Sequence, residues 1–154
     1  MTYPLASVLC PTDLSKEGDG AVALAFALTR PGGVVHLLHV DIPPVLASPL
    51  DLPPMPMHAA SPEAAAQVRA RIEAHLKALV PGSALAAGVR HELHVLGETD
   101  AATTICKRAQ DLKVEAIVMG THGRGGLGRL LMGSVASAVA HRARVRVILA
   151  RPGH

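Results

Sequence analysis

The sequence predicts an α/β fold, a doubly wound parallel sheet of five strands with helices on both faces. Two observations carry that expectation. Five short strand-like runs are separated by stretches with helical periodicity, so each strand-to-strand connection reads as a right-handed parallel crossover. Hydrophobic residues make up 49% of the chain but aromatic ones only 1%. The core is therefore built from Val, Leu, Ile and Ala, which suits helices packed closely on a parallel sheet. A chain of 154 residues has the length of one domain, spanning 1–154, with a single core.

The elements follow in order. Leu5 through Cys10 is a short apolar run stopped by Pro11, Thr12 and Asp13, a buried strand ending in a turn. Ser15 or Asp13 then caps a helix that carries Ala21, Leu24, Ala25 and Leu28 on one face and is expected to end near Pro31-Gly32-Gly33. Val34 to Val40 is a second strand. Between residues 41 and 62 the prolines at 43, 44, 49, 53, 54, 56 and 62 exclude any regular element, so this Pro/Met-rich stretch is expected to be an exposed loop.

Val68, Ile72, Leu76 and Leu79 recur at helical steps and predict an amphipathic helix that stops at Pro81-Gly82. Val89 to Leu96 alternates as a third strand. A helix after Gly97 places Ala101, Ala102, Ile105, Ala109 and Leu112 on one side, and the run Val114 to Met119 reads as a central fourth strand. A glycine-rich stretch from Gly120 to Gly133 leads into a helix with Val135, Ala138 and Val139. Val145 to Leu149 supplies the last strand.

Charge is unevenly distributed. The net charge is only +3, yet beyond Glu115 there is no carboxylate side chain, and Arg124, Arg129, Arg142, Arg144, Arg146 and Arg151 carry all the fixed charge. That segment attracts anions. Cys10 and Cys106 form neither a CxxC pair nor a disulfide ladder, and are expected to be reduced thiols. With no basic-then-apolar leader at the N-terminus and no apolar run of membrane-spanning length, the expected location is the cytoplasm, without a membrane partner.

The segment Gly120-Thr121-His122-Gly123-Arg124 through Gly133-Ser134-Val135 lies between a strand and a helix. Glycines there let a ligand touch the main chain, and the N–H groups of a helix start face an anion, with phosphate the obvious candidate. A P-loop is excluded because GxxxxGK[ST] is missing. The match of residues 123–128 to GxGxxG follows the fourth strand instead of the first, with no acidic residue downstream for a ribose, so a dinucleotide site loses its support.

Gly120, Gly123, Gly133 and Ser134 instead form G-x2-G-x9-G-[ST] at the end of a strand. Together with Val8-Leu9-Cys10-Pro11-Thr12-Asp13, His36-Leu37-Leu38-His39-Val40 and Val118-Met119-Gly120, this pattern resembles the ATP-binding branch of the universal stress protein family over nearly the whole chain. The resemblance implies a Rossmann-like five-stranded sheet in order 3-2-1-4-5 with a crevice between strands 1 and 4. It implies that Pro11, Thr12, Asp13 and Val40 meet the ribose and adenine of ATP, AMP or another adenine nucleotide. Gly120, His122, Gly123, Arg124, Gly133, Ser134 and Val135 would then hold the phosphates, with Mg²⁺ accompanying ATP. It also implies a homodimer formed through the last strand, Val145 to Leu149, and a stress-response role exerted through ligand-dependent conformation or partner binding. The family often has serine where Gly126 or Gly128 stands here.

The residues leave simpler roles open. Asp13 and Ser134 would serve as helix caps without any ligand, His122 could be merely solvated, and the glycines could form a mobile turn. A metal site is not expected, because His36/His39 and His91/His94 are i, i+3 pairs whose members point to opposite faces of a strand. Cys106 reads as a small core residue. Slow ATP hydrolysis has little support beyond Asp13, with no lysine near the loop, and the alternative is a nucleotide-free dimeric interaction module. Nucleic acid is an unfavoured partner because Tyr3 and Phe26 are the only aromatics available for stacking.

Overall fold

A computed structural model of the chain describes residues 4–42, the backbone of 45–46 and 55–56, and residues 61–122 and 132–151. The main elements are β1 (Leu5–Pro11), α1 (Lys16–Leu28), β2 (Thr29–Asp41), α2 (Pro62–Ala78), β5 (Arg90–Gly97), α4 (Ala101–Asp111), β6 (Ala116–Gly120), α5 (Ser134–Arg142) and β7 (Arg146–Ala150). Shorter ones are β3 (Val45–Leu46), β4 (Met55–Pro56) and α3 (Gly82–Ala86). The large sheet runs β5-β2-β1-β6-β7 and every pairing in it is parallel. Counted along the chain, its strands lie in the order 3-2-1-4-5.

Alternation along each strand divides the core into two layers. Val8, Cys10, Val35, Leu37, Val95 and Val118 face α1 and α2, burying Ala21, Val22, Ala25 and Phe26 of the first helix and Ile72 and Leu76 of the second. Leu9, Leu38, Ile117 and Met119 face the opposite way, against Ala102, Ile105 and Ala109 of α4 and Ala136 and Val139 of α5. Strands β1 and β6 are central, covered on both faces, which explains their largely apolar composition, broken in β1 only by Ser7.

Two local expectations are corrected. Helix α1 ends at Leu28, before Pro31-Gly32-Gly33, where the backbone N–H of Thr29 bonds to Phe26 O and its hydroxyl to Ala25 O at 2.8 Å. The Pro-Gly-Gly triplet is absorbed into β2 as a bulge: Leu5 pairs with Thr29 but Ser7 with Val34. Gly32 takes φ +77° and its N–H bonds to Gly88 O at 2.8 Å, a conformation open to glycine at little cost. Within the Pro/Met-rich stretch, β3 and β4 pair antiparallel, Val45 with Pro56 and Leu46 with Met55. Proline is compatible with such a two-residue ladder, where it needs no inner partner for its missing N–H. Pro81 does more than stop α2, since its carbonyl accepts from Ala84 N and Leu85 N and starts the one-turn helix α3.

Candidate functional site

The strand order reverses direction between β1 and β6: from β1 the chain first builds outward to β2 and β5, then returns to β6 and β7. Ligands of open α/β sheets bind at such a switch point, outside the carboxyl ends of the strands. Pro11, Thr12 and Asp13 close β1 there and Gly120, Thr121 and His122 close β6.

The turn after β1 is held by nested hydrogen bonds. Asp13 Oδ1 accepts from Ser15 N at 3.0 Å and from Ser15 Oγ at 2.5 Å. Ser15 Oγ in turn accepts from Gly18 N at 3.0 Å and caps α1. Of the two candidate caps, Ser15 is therefore the one that acts on the helix, while the Asp13 carboxylate orders the turn. Leu14 sits at φ +66° between them, with its N–H donated to Thr12 Oγ1 at 3.0 Å.

Thr12 is buried and fully engaged. Its N–H reaches Leu38 O at 2.9 Å, its hydroxyl donates to Asp19 Oδ1 at 2.8 Å, and its carbonyl accepts from His39 Nδ1 at 2.9 Å, so that His39 carries its proton on Nδ1. Asp19 Oδ2 also meets His75 Nε2 of α2 at 2.7 Å. Asp19 and His75 were not singled out from the sequence, and His39 was weighed there only as one half of the His36/His39 pair and as part of the second strand. Only Asp19 left a signal there, as an acidic residue three before Val22 and seven before Phe26 on the buried face of α1.

The start of α1 presses on the end of β6. A Cβ on Gly120 would stand 2.8 Å from Glu17 O, and one on Gly18 would stand 2.6 Å from Asp13 Oδ1 and 2.8 Å from Thr12 Oγ1. Both are closer than real Cβ contacts come, so these two glycines allow the approach that joins the two strand ends. Gly120 thus has a packing duty independent of any ligand.

Across the crevice, Thr121 N bonds to Ala150 O at 3.1 Å and Gly133 N bonds to Thr121 O at 2.7 Å, tying the start of α5 to β6. The N-cap of α5 is Gly133, with φ −60° and ψ 156°, and no side chain caps the helix. Ser134 is exposed at the first helical position, which corrects the alternative that its hydroxyl serves as the cap. The first intrahelical bond is Ser137 N to Gly133 O. The N–H groups of Ser134, Val135 and Ala136 therefore precede the helix ladder, and Val135 is itself 37% exposed. His122 Nδ1 lies 2.8 Å from Thr121 Oγ1, and its Nε2 is buried without a partner among the described residues. Gly123 and Arg124 lie outside the described residues, as do Gly126 and Gly128.

Val40, half-buried, lies one residue before the end of β2 and packs on the α4/α5 layer. On the opposite face of the sheet, a cavity of about 260 Å³ opens between α2 and the ends of β2 and β5, lined in part by Asp41, Arg69, Ile72, Val95 and Gly97.

The cysteines are placed as expected of core residues. Burial, with a smaller contribution from the Asp19 carboxylate, pushes the Cys10 thiol up to about 12, and burial raises that of Cys106. The histidine pairs do divide between strand faces, but the parallel register of β2 and β5, invisible in the in-strand spacing, sets His36 beside Glu92 and His94. No helix among the described residues is long and apolar enough to cross a membrane.

The family model described as "Universal stress protein family" matches residues 5–151. A universal stress protein from Arabidopsis thaliana, PHOS34, is 31% identical over 90% of this chain, which spans 59% of that relative's length. Three mycobacterial universal stress proteins are 60% identical over 37 residues, 24% of this chain and 12% of theirs. Among solved structures, the hypothetical protein MJ0577 superposes with a TM-score of 0.73 at 20% identity, covering 99% of both chains. A universal stress protein in complex with cAMP superposes with a TM-score of 0.63 at 21% identity, covering 97% of this chain and 98% of that one. With the family model matching from the first strand to the last, the chain belongs to the universal stress protein family.

Proposed function

We propose that this protein binds an adenine nucleotide, ATP in particular, at the β1/β6 switch point and acts as a stress-response regulator whose conformation or partner binding follows occupancy. The observation that carries the reading is the start of α5: an exposed Ser134, a glycine cap with no side-chain acceptor, and helix N–H groups at the end of the glycine-rich segment. A helix start of this kind suits phosphate, through its N–H groups and its partial positive charge. Gly120, His122, Gly123, Arg124, Gly133, Ser134 and Val135 form the phosphate side in this reading. Pro11, Thr12, Asp13 and Val40 form the nucleoside side, with Asp13 as acceptor for ribose hydroxyls. A family structure holding cAMP supports an adenine ligand. Mg²⁺ is proposed to accompany ATP, and any hydrolysis is slow in this reading, since the glycine-rich segment carries no lysine and Asp13 is the only carboxylate among the residues assigned to the site. Strand β7 is an edge of the sheet, and pairing of two copies along residues 145–149 would cover it.

Calorimetric titration of nucleotide-free protein with ATP, with and without Mg²⁺, and then with AMP, tests the reading. One nucleotide per chain is expected, with ATP the tighter. Gly133→Val is expected to abolish binding without unfolding the protein, since φ −60° at Gly133 admits any side chain while a bulky one fills the phosphate position. Unchanged affinity in that variant would sink the assignment.

A further inference from the structure

We propose that His36, Glu92 and His94 form a binding site for a divalent transition-metal ion of the zinc type, at the opposite edge of the sheet from β7 and separate from the nucleotide crevice. The three side chains come from adjacent positions of β2 and β5: Glu92 is the register partner of His36, and His94 that of Leu38. By strand alternation all three lie on the face that α4 covers, and Arg108 of α4 reaches His94 there.

The distances suit one metal. His36 Nδ1 lies 3.1 Å from His94 Nε2 and 3.2 Å from Glu92 Oε2, and the last two atoms are 3.8 Å apart. Ligand atoms at bond lengths of about 2.0–2.1 Å around a tetrahedral zinc stand about 3.3–3.4 Å from one another. Two imidazoles and one carboxylate are a common zinc donor set, leaving the fourth position to water. The His36 and His94 side chains are 7% and 11% exposed, whereas that of Glu92 is 55% exposed, so the carboxylate marks the solvent side from which an ion enters.

Hydrogen bonding in the metal-free cluster cannot be satisfied completely. Arg108 donates from Nη2 to His94 Nδ1 at 3.0 Å, and a guanidinium has no acceptor. Neutral His94 therefore carries its proton on Nε2 and donates it to His36 Nδ1. The Glu92 oxygen 3.2 Å from that same His36 nitrogen then faces it as a second acceptor with no proton between them. A cation on the three lone pairs removes this repulsion. Its entry moves the His94 proton from Nε2 to Nδ1, so Arg108 must turn away. The Arg108 Nε, buried with no partner among the described residues, leaves the guanidinium only partly anchored. Arg108 is thus a competitor of the metal, and its loss strengthens binding.

The test is titration of the full chain, produced without a polyhistidine tag, with Co²⁺ followed by visible absorption and then displacement by Zn²⁺. One ion per chain with the spectrum of a four-coordinate site is expected. Glu92→Gln and His94→Gln should each weaken affinity by about tenfold or more, and Arg108→Gln, whose amide oxygen accepts the Nδ1 proton, should strengthen it. His75→Gln and His91→Gln should leave it unchanged. Circular dichroism verifies the fold of each variant, and the exposed Glu92 keeps the test valid if a buried histidine variant unfolds. No stoichiometric binding, or binding indifferent to Glu92→Gln and His94→Gln, overturns the site; affinity unchanged in Arg108→Gln overturns the competing role of the arginine.

Discussion

The backbone carbonyl of Glu17 occupies the space that a side chain on Gly120 would need, 2.8 Å from the ideal Cβ position. The first turn of α1 therefore lies on the end of β6, and the distance between the two walls of the crevice is set by backbone packing before any ligand arrives.

Gly120→Ala is expected to destabilise the protein by about 1–3 kcal/mol, the usual cost of overpacking a filled site. Urea unfolding measures it. The opposing atom is main chain and cannot rotate away, so a variant as stable as the parent would mean that α1 does not sit against β6.

Two serines beside helix starts should behave differently. Ser15 accepts from Gly18 N and from there supports the Asp13 turn, so Ser15→Ala should cost about 1 kcal/mol. Ser134 caps nothing, and Ser134→Ala should alter stability by no more than about 0.5 kcal/mol. If its hydroxyl bonds a phosphate, the same change should weaken nucleotide affinity by about tenfold. Thermal melts paired with calorimetry separate the effects, and a large stability loss in Ser134→Ala would contradict the glycine cap.

Cys10 should make stability fall in alkali. Its thiol is raised from 9.0 to about 12 in the fold, so between these values the unfolded chain has lost a proton that the folded chain keeps. Stability from this group is complete below pH 9 and declines as pH rises towards 12, by at most about 1.4 kcal/mol per pH unit. Denaturant titrations at pH 8 to 10.5 should show the decline, and Cys10→Ala should flatten it while lowering stability throughout. For the same reason iodoacetamide should modify native Cys10 only through opening of the protein; rapid alkylation at pH 8 would contradict its burial.

The strands, the principal helices and the sheet class were legible because apolar periodicity reports which face of each element is buried, as at Val114 to Met119 and at Ile72 and Leu76. The ends of elements were less so. Pro31-Gly32-Gly33 has the composition of a helix stop but serves as a bulge in β2, since Gly32 meets Gly88 across the neighbouring strand end. The ladder of β3 and β4 was masked by proline content, which reports what a segment cannot donate and says little about what its carbonyls can accept.

By itself the sequence determined the parallel α/β class, the position of the glycine-rich segment between β6 and α5, and the turn of Pro11, Thr12 and Asp13 at the end of β1, because each depends on local spacing and local backbone chemistry. Only the tertiary structure decided that Gly120 bears the weight of α1, that Thr12 is locked to Asp19 and His39, and that His36 meets Glu92 and His94. Those contacts depend on strand register and helix approach between residues up to 103 positions apart, such as Glu17 and Gly120, and register is fixed by how the whole core packs, which no local pattern records.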